Sequence, residues 1–410
     1  MAEDIAVTKF REYLRINTEQ PNVDYEPCKN FLLKLADELA IETKVVYTTP
    51  KTPFVIMTIP GHKPELKTLM LYSHTDVVPT FREHWKYDPY SAHKDENGDI
   101  YARGSQDMKC VGSQYFEAIR RHFGRGKTQW NRTIHIVWGP EEETGAPEGM
   151  ASFIETEDFK ALNVGFTLDE GIASETEVYK VFYSERCPWW CKITCEGSPG
   201  HGSKFLENTA GQKLQSVINS ALAFRESEKK RMLEDNVGLG EVVSLNLTIV
   251  EGGVQVNVLP EKLSAYFDIR APPNIDFDEL ENRICGWCKE AGPGVSVQFI
   301  QTSNPALADK CPQDIKSLKR GITSTSSDDI WWNAFETALE KEGCKFVKEI
   351  FPASTDSRFI RSRGIGSIGF SPMKNCPSLL HDHNEFLNEN IFLRGVEIYE
   401  SLIDNLASLE

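Results

Sequence analysis

Apolar positions along the first 170 residues change their period several times. Over residues 4–16, Val7, Phe10 and Leu14 recur at helical spacing, and over 25–40 Phe31, Leu32, Leu35 and Leu39 do the same. Both stretches predict amphipathic helices. Nearly continuous apolar runs follow at FVIMTI (54–59), TLMLYS (68–73), TIHIVW (133–138) and VGFTLD (164–169), with a helical stretch, MKCVGSQYFEAIRRHF, between the second and the third. Runs of that length suit strands buried on both faces. Their alternation with helices predicts an α/β fold, a mostly parallel sheet with helices on both faces.

From about residue 186 the texture changes. WWCKITC, VVSLNLTIV and SAYFDIR read as alternating strands, and helical spacing appears near 209–231 and 276–290. This predicts a smaller α+β unit over 186–305 with its own antiparallel sheet. Residues 303–328, which include GITSTSSDD, are polar and rich in Ser and Thr, as in a mobile connection or an insertion. Helix–strand alternation then resumes. The larger domain is therefore expected to be discontinuous, 1–185 with 306–410. Two domains are also the default for a chain of 410 residues.

Composition narrows the function. Hydrophobic residues at 40% and charged residues at 26% describe an ordinary soluble protein. A net charge of −16 argues against nucleic acid and anionic membrane surfaces as partners. Small anionic substrates stay open, because bound cations reverse the local field. The start, MAEDIAVTKFREYL, lacks the basic region and apolar core of a signal peptide, and no run is long enough to span a membrane. A cytoplasmic protein with reduced thiols is expected. Cys187, Cys191 and Cys195, and the pair Cys285 and Cys288, lack the second ligand pair of a structural zinc site and read as packing residues.

Candidate chemistry gathers where the apolar runs stop. His74 ends one run and Asp76 lies two residues on, placed to accept the second ring N–H of a metal-bound histidine. Glu141, Glu142 and Glu143 follow TIHIVWGP. Neighbouring carboxylates on an extended backbone cannot both aim at one point, which suggests one metal ligand and one free base. Asp107, after ARGSQ, is either a helix N-cap or a carboxylate whose two oxygens bridge two cations. Glu170 ends FTLDEG, with Asp169 as its alternative, and His381 and His383 lie in LLHDHNE. A mixed nitrogen and oxygen set of this kind favours zinc, with cobalt or manganese as replacements. His201, in SPGHG, reads on its own as a turn histidine.

SHTDVVP, YARGSQDMKC, the EEETG run, LDEG, YSERCPWW, PGHGS, FSPM and LLHDH occur in order along nearly the whole chain. Together they resemble the acetylornithine deacetylase, carboxypeptidase and dipeptidase superfamily of dinuclear zinc hydrolases. YSERCPWW and FSPM with LLHDH point to its aminoacylase branch. The resemblance implies a zinc-exopeptidase-like catalytic domain interrupted by a dimerisation domain. It implies two zinc ions per subunit: one held by His74, Asp107 and Glu170, the other by Asp107, Glu143 and His381. His381 is taken over His383 because the family ligand precedes a Glu by four residues, here Glu385. It implies Glu142 as general base acting on a zinc-bridging water and Asp76 as the acid that orients His74. His201 would reach across a homodimer to the partner's oxyanion, Asn257 would assist substrate or oxyanion binding, and Arg358 would grip the substrate carboxylate.

The implied activity is cleavage of N-acyl-L-amino acids to a free L-amino acid and a carboxylate, the alternative being a dinuclear zinc dipeptidase or carboxypeptidase. Glu141 stands where relatives often carry Asp and is expected to be peripheral. The 303–328 stretch is longer than the family pattern, and no function is carried onto it.

Overall fold

In this computed structural model, which describes residues 3–300 and 321–410, every residue of the strands Thr68–His74 and Ile134–Gly139 is buried. Both lack polar alternation because both of their faces are covered. Side chains alternate across the sheet: Leu69 and Leu71 join one hydrophobic cluster, Met70 and Tyr72 another on the opposite face. The first cluster is closed by helices Ile5–Leu14, Glu26–Asp37, Lys109–Gly124 and Glu389–Ala407, with Phe10 stacked on Phe392 at 4.4 Å. The short helices Met150–Phe153, Glu157–Ala161 and Ser357–Ser362 supply Phe153, Phe159 and Ile360 to the second.

The sheet has eight strands, and its parallel character is confined to the centre. There Ile134–Gly139, Thr68–His74, Val164–Asp169 and Gly366–Phe370 lie side by side, each parallel to its neighbour. Pro53–Ile59 and Glu42–Tyr47 extend one side antiparallel, and Tyr179–Glu185 pairs antiparallel on the other. Glu42–Tyr47 is largely exposed and follows no continuous apolar run, which is why the hydrophobic pattern did not announce it.

A small sheet also escaped sequence reading. Phe386–Asn388 pairs with Asp99–Tyr101, which pairs with His93–Lys94. These strands are two or three residues long, too short for periodicity to show. Their effect is to seat the C-terminal segment beside residues 103–107.

The chain divides into two compact units: Met1–Ser184 with Ile322–Glu349 and Thr355–Glu410, and Glu185–Gly321 with Ile350–Ser354. In the second, Ser244–Gly252, Lys262–Ala271, Cys187–Glu196 and Val295–Ile300 form a four-stranded antiparallel sheet in that order. Helices Ala210–Glu234 and Phe277–Ala291 pack on it. Cys187, Cys191 and Cys195 fall on the inward face of one strand and pack in this core beside Cys288, free of disulfides. The tryptophans are structural too: Trp189 stacks on Phe277, Trp190 donates to Asp268, Trp331 stacks on Phe166 and Trp332 is buried.

Of the polar 303–328 stretch, and of the expected domain boundary at 305/306, residues 303–320 lie outside the described residues. The described end of the stretch is stitched into the larger unit. Thr323 is buried, its N–H donates to the carbonyl of Tyr183 at 2.9 Å, and its hydroxyl donates to that of Ser367 at 2.6 Å. Among the described residues no helix is long and apolar enough to cross a membrane.

Candidate metal centre

Three adjacent parallel strands deliver the site. His74 is the last residue of Thr68–His74, Glu170 follows Val164–Asp169, and Glu141 to Glu143 follow Ile134–Gly139 after Pro140. The carboxyl ends of parallel strands in an open sheet are where such folds place their ligands.

His74 is fully buried, and its Nδ1 faces the backbone carbonyl of Asp76 at 3.0 Å. Its Nε2 lies 3.0 Å from Asp107 Oδ1 and 3.6 Å from Glu170 Oε2. The other oxygen of Asp107 is 3.2 Å from His381 Nε2, which also lies 3.2 Å from Glu143 Oε2. Two donor groups result: His74, Asp107 and Glu170, and Asp107, Glu143 and His381, each with ligand atoms within 4.8 Å of one another. Asp107 belongs to both and turns one oxygen to each histidine. It is not an N-cap, since the helix behind it begins after Met108 with no side-chain cap.

Burial and mutual charge shift the proton affinities of this cluster in opposite directions. Burial, then repulsion from Glu170, pushes the Glu142 carboxyl well above the usual range. Burial and Asp107 do the same to Glu170. Glu143 is raised to about 7 by burial and Asp107. Burial opposes charge on His74, but the carboxylates of Glu170 and Asp107 outweigh it and hold the ring pKa well up. Hydrogen bonds to Asp107 and Glu143 raise His381 to about 10. The mixed imidazole and carboxylate donors fit divalent metal ions, zinc among them.

Asp76, expected to orient His74, lies beside it. Its carboxylate is 3.7 Å from His74 Nδ1, beyond hydrogen-bond reach. It accepts instead from the backbone N–H of Glu142 at 3.1 Å, from that of Glu143 at 3.2 Å, and from Gln20 Nε2 at 2.9 Å. The acidic run is also not extended. Glu141 takes a left-handed φ of 71° and Glu142–Thr144 form a single 3₁₀ turn, so Glu142 and Glu143 diverge from a turn rather than from a strand. The Glu141 side chain points away to the Tyr25 hydroxyl.

Asp169 does not compete with Glu170. One of its oxygens accepts the Glu170 N–H at 2.7 Å and the other accepts the Ser357 hydroxyl at 2.6 Å. Arg358 donates to the carbonyls of Gly145 and Thr355, and among the described residues it forms no ion pair. His383 is absent from both donor groups and packs against Phe81 and His84.

In the smaller unit, strand Gly200–His201 pairs with Val258–Leu259, and the Gly202 N–H donates to the Asn257 carbonyl at 2.8 Å. His201 and Asn257, both exposed, therefore sit on neighbouring backbones despite their separation in sequence.

Sequence reading used Glu385 only as a spacing marker for His381. In the structure it is wholly buried, and its carboxylate accepts from Arg103 Nη1 at 2.8 Å and from the N–H groups of Gly104 and Gln106 at 3.1 and 2.6 Å. Asp356, likewise buried, receives the Tyr72 hydroxyl, and its other oxygen has no hydrogen-bond partner among the described residues. Both lie in polar segments, HDHNEFLNE and PASTDSRF, so no local pattern singled either one out.

The sheet, the donors at its strand ends and the shared carboxylate form a candidate metal centre of the kind a metal-dependent hydrolase needs. The chain belongs to Peptidase family M20/M25/M40, whose profile matches residues 70–405. Among curated proteins it is 48% identical to aminoacylase-1 of Mus musculus over 410 residues, covering 100% of this chain and 97% of that protein. It is 47% identical to aminoacylase-1 of Sus scrofa (99% and 96% covered) and 45% identical to that of Dictyostelium discoideum (100% and 99%). Among solved structures, the fold is similar to an M20 metallo-carboxypeptidase from Sulfolobus solfataricus, with a TM-score of 0.74, 16% identity, and 99% and 100% of the two chains covered. It is also similar to a dinuclear metal-binding M20 peptidase from Bacillus subtilis, with a TM-score of 0.64, 14% identity, and 99% of both chains covered.

Proposed function

We propose that this protein is a metal-dependent amidohydrolase cleaving N-acyl-L-amino acids to a free L-amino acid and a carboxylate. The substrate class rests on one observation, the likeness to aminoacylase-1 proteins over essentially their whole length at 45–48% identity. His74, Asp107 and Glu170 would hold one zinc ion and Asp107, Glu143 and His381 a second, with Asp107 bridging. Cations so held lower the pKa of water and polarise a carbonyl.

Glu142 lies in neither donor group. It takes the proton of the attacking water and returns it to the leaving amine. Its raised proton affinity suits that exchange. Asp76 fixes the turn from which Glu142 projects. Arg358 offers its planar fork to the substrate carboxylate, exchanging carbonyl partners for a charged one. Asn257 assists substrate or oxyanion binding and His201 stabilises the oxyanion, with the smaller domain (186–305) joining two subunits into a homodimer so that His201 of each serves the other's site. The protein acts in the cytoplasm.

The test is hydrolysis of N-acetyl-L-methionine beside an unblocked dipeptide, with chelator treatment and zinc add-back. Chelator-sensitive turnover of the acetylated substrate, restored by zinc, is expected. Turnover of the dipeptide alone would move the protein to the dipeptidase or carboxypeptidase alternative.

A further inference from the structure

The loop that carries Asp107 and the loop that carries His381 are tied together by one side chain, Gln106. Its Nε2 donates to the carbonyl of Pro377 at 3.0 Å and to that of Phe386 at 2.9 Å, and its Oε1 accepts the N–H of Leu379 at 3.0 Å. Those three contacts span the segment 377–386, with His381 inside it. Gln106 is almost fully buried, so these polar contacts replace water that cannot reach it. Its own backbone is held in turn, since its N–H donates to Glu385 at 2.6 Å and that of Asp107 to the same oxygen at 3.3 Å.

His381 needs such a brace. Its φ is 63°, left-handed for a residue with a Cβ, and its side chain is 57% exposed, so little packing holds it. A residue in that region persists only where its surroundings over-determine it. The local turn, Asp382 N–H to the Leu379 carbonyl at 3.0 Å, begins at the residue whose N–H Gln106 accepts. His74, by contrast, ends a fully buried strand, and it meets this bracket through the Asp107 carboxylate, 3.0 Å from its Nε2.

We propose that Gln106 is a positioning residue for one half of the metal centre: it sets His381 against Asp107 and so governs the group Asp107, Glu143 and His381, leaving His74, Asp107 and Glu170 largely untouched. This rests on the two-cation reading given above. Outer partners that orient metal ligands typically affect metal affinity about 10–100-fold.

The experiment is zinc titration of the metal-free full chain against a chromophoric chelator, for wild type, Gln106→Met, which keeps the volume, and Gln106→Glu, which keeps the acceptor for Leu379 but loses both donors. Two equivalents in the wild type are the control, and fewer would overturn the two-cation reading itself. In both variants the first equivalent is expected to bind as in wild type and the second about 10–100-fold more weakly. Excess zinc is expected to restore kcat with KM unchanged. With a two-equivalent wild type, equal weakening of both equivalents, or of neither, would overturn the bracing role. Should one variant fail to fold, the other decides alone.

Discussion

The carboxylate of Asp76 accepts the backbone N–H of Glu142 at 3.1 Å and, through its other oxygen, that of Glu143 at 3.2 Å. One buried side chain thus orients both the proposed base and a proposed ligand. Asp76→Ala leaves two N–H donors of the turn unsatisfied, at a cost of roughly 1–3 kcal/mol each. The variant is expected to lose at least tenfold in kcat with little change in KM, while Asp76→Asn keeps one acceptor and falls between. Steady-state kinetics on a zinc-loaded series decides; an unaltered kcat for the Ala variant would remove Asp76 from this role.

Glu142 belongs to neither donor group, so Glu142→Gln is expected to retain wild-type zinc content while kcat falls by about 10²–10⁴, the range of a general base. Metal analysis and kinetics on the same sample separate the outcomes. Loss of zinc together with activity would make Glu142 a ligand.

The pH dependence follows from Glu143. Its folded-state pKa is raised to about 7 from a reference of 4.5. In the metal-free protein this group's contribution to stability is full below the unfolded value and is lost as pH rises through about 7, because the folded state binds the proton more tightly. Cation binding must displace that proton, so zinc affinity is expected to weaken as pH falls below 7. The zinc-induced rise in Tm, measured from pH 5.5 to 8, is accordingly expected to grow with pH. A rise that is constant or shrinking would contradict the assignment of Glu143 as a ligand.

Arg103 and Glu385 form an ion pair with side chains 2% and 0% exposed. Arg103→Met strands the carboxylate, and the expected loss in urea unfolding of the metal-free protein is about 3–5 kcal/mol. An effect under 1 kcal/mol would show that the three backbone donors and the Ser105 hydroxyl satisfy Glu385 without Arg103.

Gly112 lies where the Lys109–Gly124 helix crosses the sheet, and a Cβ there would come within 2.3 Å of Trp138 and 2.6 Å of Ser73 Oγ. Gly112→Ala improves helix propensity by about 1 kcal/mol yet overpacks the core by about 1–3 kcal/mol. Net destabilisation is the expected result in denaturant unfolding, and a stabilised variant would mean that the helix can shift outward.

What the chain determined by itself was local. Continuous apolar runs such as TLMLYS marked the buried central strands, and a donor at the end of each run, His74, Glu142 with Glu143, or Glu170, pointed to a centre there. Both signals survive in one dimension because burial and donor chemistry belong to single residues and their immediate neighbours. The tertiary structure decided the partners. It assigned the Asp76 carboxylate to a turn 66 positions along the chain and Glu385 to a loop 279 positions back. It also aimed the two oxygens of Asp107 at different histidines and placed antiparallel strands at the sheet margins. Those choices depend on strand order and on which buried acceptor meets which unsatisfied donor, and no periodicity along a sequence encodes that.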